Sequence, residues 1–176
     1  GAIETPGYLE GGDFFPCGRG LAMLGVGLRS NVEAATQLMQ RDLLGTDALA
    51  VVRDDFEQSQ DRMHLDCVFS LLGDDVCLML DEMMGEDSPT GAEEGEKSFL
   101  GGGGQRSRHD EKLKKIKTHF RQKKDNTKQQ EAVDEYRRSG PGQPYDLVLE
   151  GVEFSKYMRE HRGFHIIPIS GDVSFF

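Results

Sequence analysis

Cysteine is scarce in this 176-residue chain, and what there is lies scattered: Cys17, Cys67 and Cys77, with no CxxC pair. So small and odd a set excludes a disulfide framework and points to a reducing compartment. Cys67 and Cys77 sit in apolar runs and read as small buried hydrophobes. No HExxH and no Cys/His pair at zinc spacing is present, so no metal or other cofactor is expected. No apolar run approaches membrane-spanning length, which argues against a membrane partner. The chain opens at Gly1 without an initiator Met or a secretory signal. It therefore reads as a processed or partial form, expected in the cytoplasm, with an organelle left open by the start at Gly1. A formal net charge of −10 disfavours nucleic acid as the partner of the whole chain.

The charge is uneven. Segment 97–138 holds many of the Lys and Arg residues and few acids, so the remainder is strongly acidic. Along the chain, residues 1–20 are rich in glycine, proline and aromatics and read as a loop around a short strand at Tyr8–Leu9. GLAMLGVGL, residues 20–28, predicts a buried strand. Asn31 is placed to N-cap VEAATQLMQRDLLG, whose apolar residues Val32, Ala35, Leu38, Met39 and Leu43 recur at helical spacing up to Gly45. Strands are predicted at 48–54, in RMHLDCVFSLLG and at 76–83, which makes an α/β module.

Beyond Ser88-Pro89-Thr90 hydrophobicity falls, and 91–135 reads as a flexible basic insertion. The lysines within it read more readily as a solvated face than as a nucleic-acid contact, because no aromatic platform is interleaved with them. Residues 136–176 then start a further αβ module, with a helix at 151–161 ended by Gly163 and a strand at FHIIPIS. The first division accordingly covers 1–90.

Three short stretches carry chemistry. In LEGGD, Glu10 and Asp13 flank two glycines, which is either a turn with surface acids or a place where backbone approaches a ligand. Arg29, in GVGLRSN, either caps the strand-to-helix turn or clamps a carboxylate. In QDRMHLDCVF a strand would put His64, Asp66 and Val68 on one face and Leu65, Cys67 and Phe69 on the other. His64 is the usual kind of general acid/base near neutral pH, and Asp66 beside it can pair with an imidazolium or bind a cationic substrate. The bland alternative is a hydrogen-bonded, solvated strand face.

Taken together, LEGGDFF, a glycine-containing strand ending in GLRSN, and MHLDC resemble, in order and spacing, the motifs of the arginine deiminase family of guanidine-modifying (pentein) proteins. The motifs span roughly 8–85, with a looser likeness over 145–170 and no matching counterpart for the insertion. The resemblance implies an α/β fold, a portion of a pentein propeller built from ββαβ modules. It implies hydrolysis of the small molecule L-arginine to citrulline and ammonia. Carried over, His64 resembles the general acid/base and Glu10 the carboxylate that orients it. Asp66 resembles one of two acids gripping the guanidinium, and Arg29 the group that binds the substrate carboxylate. Asp13 falls with the substrate-binding motif in a positioning role.

The departures are as specific as the likeness. The family's nucleophile is a Cys in a glycine-rich loop after a strand like FHIIPIS, and no such Cys occurs before Phe176. Cys67 stands where the family has Thr, on what would be the opposite sheet face. Cys77 looks buried, and nothing near Cys17 marks an activated thiol. The second guanidinium-binding acid would lie upstream of Gly1. The expectation is an internal portion of an arginine deiminase-like protein, or a degenerate paralogue, that does not turn over arginine alone. An amidinotransferase, a dimethylarginine hydrolase and a non-catalytic arginine-binding paralogue are the alternatives. A partial propeller leaves sheet edges unpaired, so association between copies is also expected.

Overall fold

The computed structural model describes residues 2–54, 63–84 and 131–170. The apolar run after Gly20 forms the strand β2 (Leu21–Val26), antiparallel to β1 (Phe14–Gly18) and parallel to β3 (Ala48–Arg53). Between β2 and β3 runs α1 (Val32–Gln40). Asn31 is its N-cap, with the side-chain oxygen accepting from the Ala34 N–H. This is a ββαβ unit. Its central strands are buried along nearly their whole length because both faces are covered, which is why they read as continuous apolar runs. Alternate residues feed separate cores. Ala22, Leu24, Leu49 and Val51 meet Ala35 and Leu38 of α1. Leu21, Met23, Ala50 and Val52 face the other way, into a larger cluster with Phe69, Met79, Phe154 and Tyr157.

The second unit repeats the connectivity. Strand β4 (Phe69–Leu71) is antiparallel to β5 (Val76–Leu80), and β5 is parallel to β8 (His165–Ile169). The helical segment before β8 is α2 (Phe154–Lys156), continued by a π-helical turn, Tyr157–His161, and closed by Gly163 at φ 71°. Between β5 and α2 the chain returns to the first sheet. Strand β6 (Ala132–Arg137) pairs antiparallel with β3, and β7 (Asp146–Glu153) with β6, giving the order β1-β2-β3-β6-β7.

Several expectations are corrected here. The first strand is Phe14–Gly18 and not Tyr8–Leu9. Residues 132–135, counted with the insertion, lie in a strand, and residues 91–130 lie outside the described residues. The helix expected at 151–161 begins at Phe154, because Gly151–Glu153 still belong to β7. There the ladder shifts register, Gly151 takes φ 63°, and its N–H donates to Asp134 Oδ1 at 2.8 Å. Within 136–170, the end of β6 and all of β7 belong to the first sheet and β8 belongs to the second.

A buried polar group ties the two units together. Glu135 of β6 has no solvent exposure. It accepts from Tyr157 Oη at 2.7 Å, pairs with Arg162 Nη2 at 2.6 Å, and pairs with Arg137 through its other oxygen. Burial alone would push the Glu135 carboxyl up. The Tyr157 hydrogen bond, Arg137 and the Arg162 charge outweigh it and hold the carboxyl below the usual carboxylate range. Among the described residues, no helix is long and apolar enough to cross a membrane.

Candidate functional site

The site forms where three turns meet at the ends of β1, β2 and β4. The EGGD stretch is a single 3₁₀ turn, Gly11–Asp13, entered from Glu10 in an extended conformation. RSN is the turn from β2 into α1. MHLDC is the approach to β4, and it is not the strand expected of it. His64 is extended, at φ −134° and ψ 159°, and Leu65–Cys67 close a 3₁₀ turn. The backbone satisfies itself locally: the Cys67 N–H donates to His64 O at 3.1 Å and the Val68 N–H to Leu65 O at 3.2 Å. Three residues per turn bring positions i and i+3 to one side. Leu65 therefore points into the core, while His64, Asp66 and Cys67 share the outer side. The placing of Cys67 on the opposite face, buried, is thereby corrected: it is exposed, and its thiol donates to Asp66 Oδ1 at 3.6 Å.

Asp13 fastens the three turns. It is only 4% exposed. Its Oδ2 accepts from Ser30 Oγ at 2.6 Å, and its Oδ1 from the Leu65 N–H at 2.9 Å. Ser30 Oγ in turn accepts from the Glu10 N–H at 3.0 Å. Two glycines make this closeness possible. A Cβ on Gly25 would stand 2.7 Å from Asp13 Oδ1. A Cβ on Gly12 would stand 2.8 Å from Asp66 Oδ2 and 2.9 Å from His64 Cγ. Any side chain at Gly12 would push the His64/Asp66 pair off the EGGD turn.

Glu10 is the hub of the exposed side. One carboxylate oxygen lies 2.6 Å from His64 Nε2, and the other lies 3.7 Å from Arg29 Nη1. With Glu10 ionised, Nε2 is the donor, which fixes the ring and makes Nδ1 the nitrogen that Glu10 does not hold. Arg29 Nη2 also contacts Met63 Sδ at 3.9 Å, and its buried Nε has no hydrogen-bond partner among the described residues. A small cavity of about 30 Å³ beside His64 is lined by Asp13, Gly25, Asp54 and Met63. That is room for about one water. A larger one, about 290 Å³, lies between α1 and β3–β6 and holds none of the motif residues.

All five residues singled out in the sequence (Glu10, Asp13, Arg29, His64 and Asp66) thus gather at one place. Ser30, Gly12 and Cys67 belong to it as well. The signal for Ser30 was its position beside Arg29, but a serine in a turn carries no mark of burial. Cys67 was missed because a period of two was assumed where the chain has a period of three.

The remaining thiols are elsewhere. Cys77 is fully buried in β5, and burial pushes its thiol up to about 11. Cys17 in β1 is pushed up to about 12 by burial, against a lowering by Arg162.

A pair of ββαβ units with a carboxylate–imidazole pair and a second acid at their seam defines an α/β protein. A family model described as arginine deiminase matches residues 4–132. The chain belongs to the arginine deiminase family. Membership places it among hydrolases of carbon–nitrogen bonds with arginine as the small-molecule substrate class. The matched span runs on through 91–130, the stretch for which the motifs alone offered no counterpart.

Proposed function

We propose that the complete protein hydrolyses L-arginine to citrulline and ammonia, and that the chain described here supplies its acid/base and much of its substrate grip. The observation that carries the reading is the 2.6 Å contact of His64 with Glu10, with an Asp66 oxygen within 4.8 Å of an imidazole nitrogen and Arg29 on the other Glu10 oxygen. A guanidinium is planar, permanently charged and electrophilically weak. Asp66 accepts its N–H groups in fork geometry, and a second acid completes the grip. A thiolate attacks the central carbon. His64, oriented by Glu10, protonates the departing ammonia, then takes a proton from the water that hydrolyses the thiouronium. Arg29 binds the substrate carboxylate, and the partial exposure of its side chain beside Glu10 supports that role. Such a role disfavours a substrate without a carboxylate, such as agmatine. Asp13 acts through the others, as a positioning residue.

Within this chain the reading is binding without turnover. Cys17 and Cys77 are withdrawn from the site and held as thiols. Cys67 is hydrogen-bonded to Asp66, so it lies toward the edge of a guanidinium gripped there, whereas attack has to come from above the plane. The same thiols favour, as a second reading, a paralogue that keeps arginine recognition alone. All three cysteines are free, which suits a reducing compartment such as the cytoplasm. Exposed Leu147, Val148, Ile167 and Ile169 on β7 and β8 support association of copies, and a strictly monomeric chain in light scattering would count against it.

Calorimetry with L-arginine on the full chain tests the reading. Binding is expected, weakened roughly ten- to a hundredfold in Asp66→Ala by loss of a charged hydrogen-bond partner. No citrulline is expected from either protein. Heat of binding unchanged by Asp66→Ala would remove the assignment of that acid, and citrulline formation would overturn the assignment of the nucleophile outside this chain.

A further inference from the structure

The HLDC turn does more than mount an acid and a base. We propose that His64, Asp66 and Cys67 form a site for a thiophilic divalent cation, of which zinc is the best fit. One ligating atom from each of the three lies within 4.8 Å of the other two. Four-coordinate zinc, with bonds of about 2.0–2.3 Å, places neighbouring ligand atoms about 3.3–3.8 Å apart. The set therefore has to contract by about an ångström. Asp66 and Cys67 are exposed, so small side-chain rotations accomplish this.

A carboxylate already backs the imidazole. Glu10 holds His64 Nε2 at 2.6 Å, the carboxylate–histidine arrangement that fixes the ring and strengthens the other nitrogen as a ligand. The third donor is a thiol where a threonine hydroxyl would bind no soft metal. An imidazole, a carboxylate and a thiolate together select zinc or cobalt(II) over magnesium or calcium. On binding, the Cys67 S–H bond breaks, its proton goes to the buffer, and a metal–sulfur bond forms. No electron is transferred. Three protein ligands leave a fourth position for water. The bound ion would occupy the carboxylate assigned to the guanidinium, so metal and arginine exclude each other; this last consequence rests on the proposed function.

Cobalt(II) titrated into the full chain tests the site, with zinc competition as the second measurement. The expected result is one ion per chain, a thiolate-to-cobalt charge-transfer band in the near ultraviolet, and bleaching of that band by zinc. Cys67→Ser and Cys67→Thr should abolish the band and weaken zinc binding at least tenfold, whereas Cys17→Ser should change neither. A band that survives in Cys67→Thr, or the absence of cobalt and zinc binding to a chain whose circular dichroism is native, overturns the site. Arginine is expected to lower cobalt occupancy. If the Cys67-dependent band is indifferent to arginine while arginine still binds, the metal site stands and the assignment of Asp66 to the guanidinium falls.

Discussion

In the first ββαβ unit β2 and β3 are buried at nearly every residue, whereas in the second β5 is buried only at Cys77 and Met79, and β8 at Ile166 alone. The helices differ in the same sense. The first has nine residues and a side-chain N-cap, while the second is a single turn, capped by Glu153, that runs into a π-helical one. One connectivity therefore carries two kinds of interior. The first unit is held by apolar layers on both sides of its sheet and contributes rigid strand ends on which Glu10, Asp13 and Arg29 are mounted. The second fills its contact with the first partly by a charged, hydrogen-bonded cluster around Glu135. The candidate site lies at neither centre but at the seam, where Asp13 of one unit grips the turn that leads into the other.

The comparison breaks most directly at the polar tie. Glu135→Ala should destabilise the fold by about 3–5 kcal/mol, because it strands Arg162 and the Tyr157 hydroxyl in the interior. Equilibrium denaturation measures it, and a loss below 1 kcal/mol would mean the units are joined by apolar contact alone. Acid titration sharpens the point. The native Glu135 carboxyl sits below its ordinary value, so its stabilisation is complete above the unfolded carboxylate range and is lost as pH falls through the lower native value. Glu135→Gln should flatten that acid-side loss in a melting-temperature series.

At the seam, Asp13→Ala removes the acceptor for both Ser30 Oγ and the Leu65 N–H, and about 3 kcal/mol should go with two hydrogen bonds to one buried carboxylate. Arginine affinity should fall as well, although Asp13 is assigned no contact with substrate. Unaltered affinity in a folded variant would show that the three turns hold their geometry without it.

Thiol labelling separates the regions with a smaller perturbation. Cys67 at the seam should react with a maleimide at least about tenfold faster than Cys17 or Cys77, whose thiols burial keeps protonated. Mass spectrometry of the first modified peptide decides it. The smallest effect belongs to the first unit's cap. Asn31→Ala should cost about 1 kcal/mol, a little more if the bonds of its side chain to the Tyr8 N–H and Pro6 O hold the entry loop as well.

The contrast also accounts for what could be read from the residues. Strands covered on both faces print themselves as apolar runs, so β2 and β3 were legible within a residue or two, as were the Asn31 cap and the Gly163 stop. Strand β6 was not. Its AVDEYR carries Asp134 and Glu135, whose charges are matched not only by Arg137 of the same strand but by Arg53 and Arg162 from other segments, and without those two partners the stretch resembles more of the basic, solvated insertion. In the site, residue types and order were enough to single out Glu10, Arg29, His64 and Asp66. The local backbone was not, because the HLDC turn is set by Asp13 capturing the Leu65 N–H from fifty-two positions away.

The hairpin of β6 and β7 has one more implication. Its strands belong to the first sheet, yet in sequence they lie between β5 and β8, which belong to the second. The two halves are therefore interlaced, and no single cut separates one unit from the other. A polypeptide nicked anywhere in 85–130 should stay whole under native conditions, since β3 still clasps β6 and β5 still clasps β8. Co-expressed as residues 1–84 and 131–176, the pieces should find each other as a split protein does, and the candidate site would be rebuilt from the longer one.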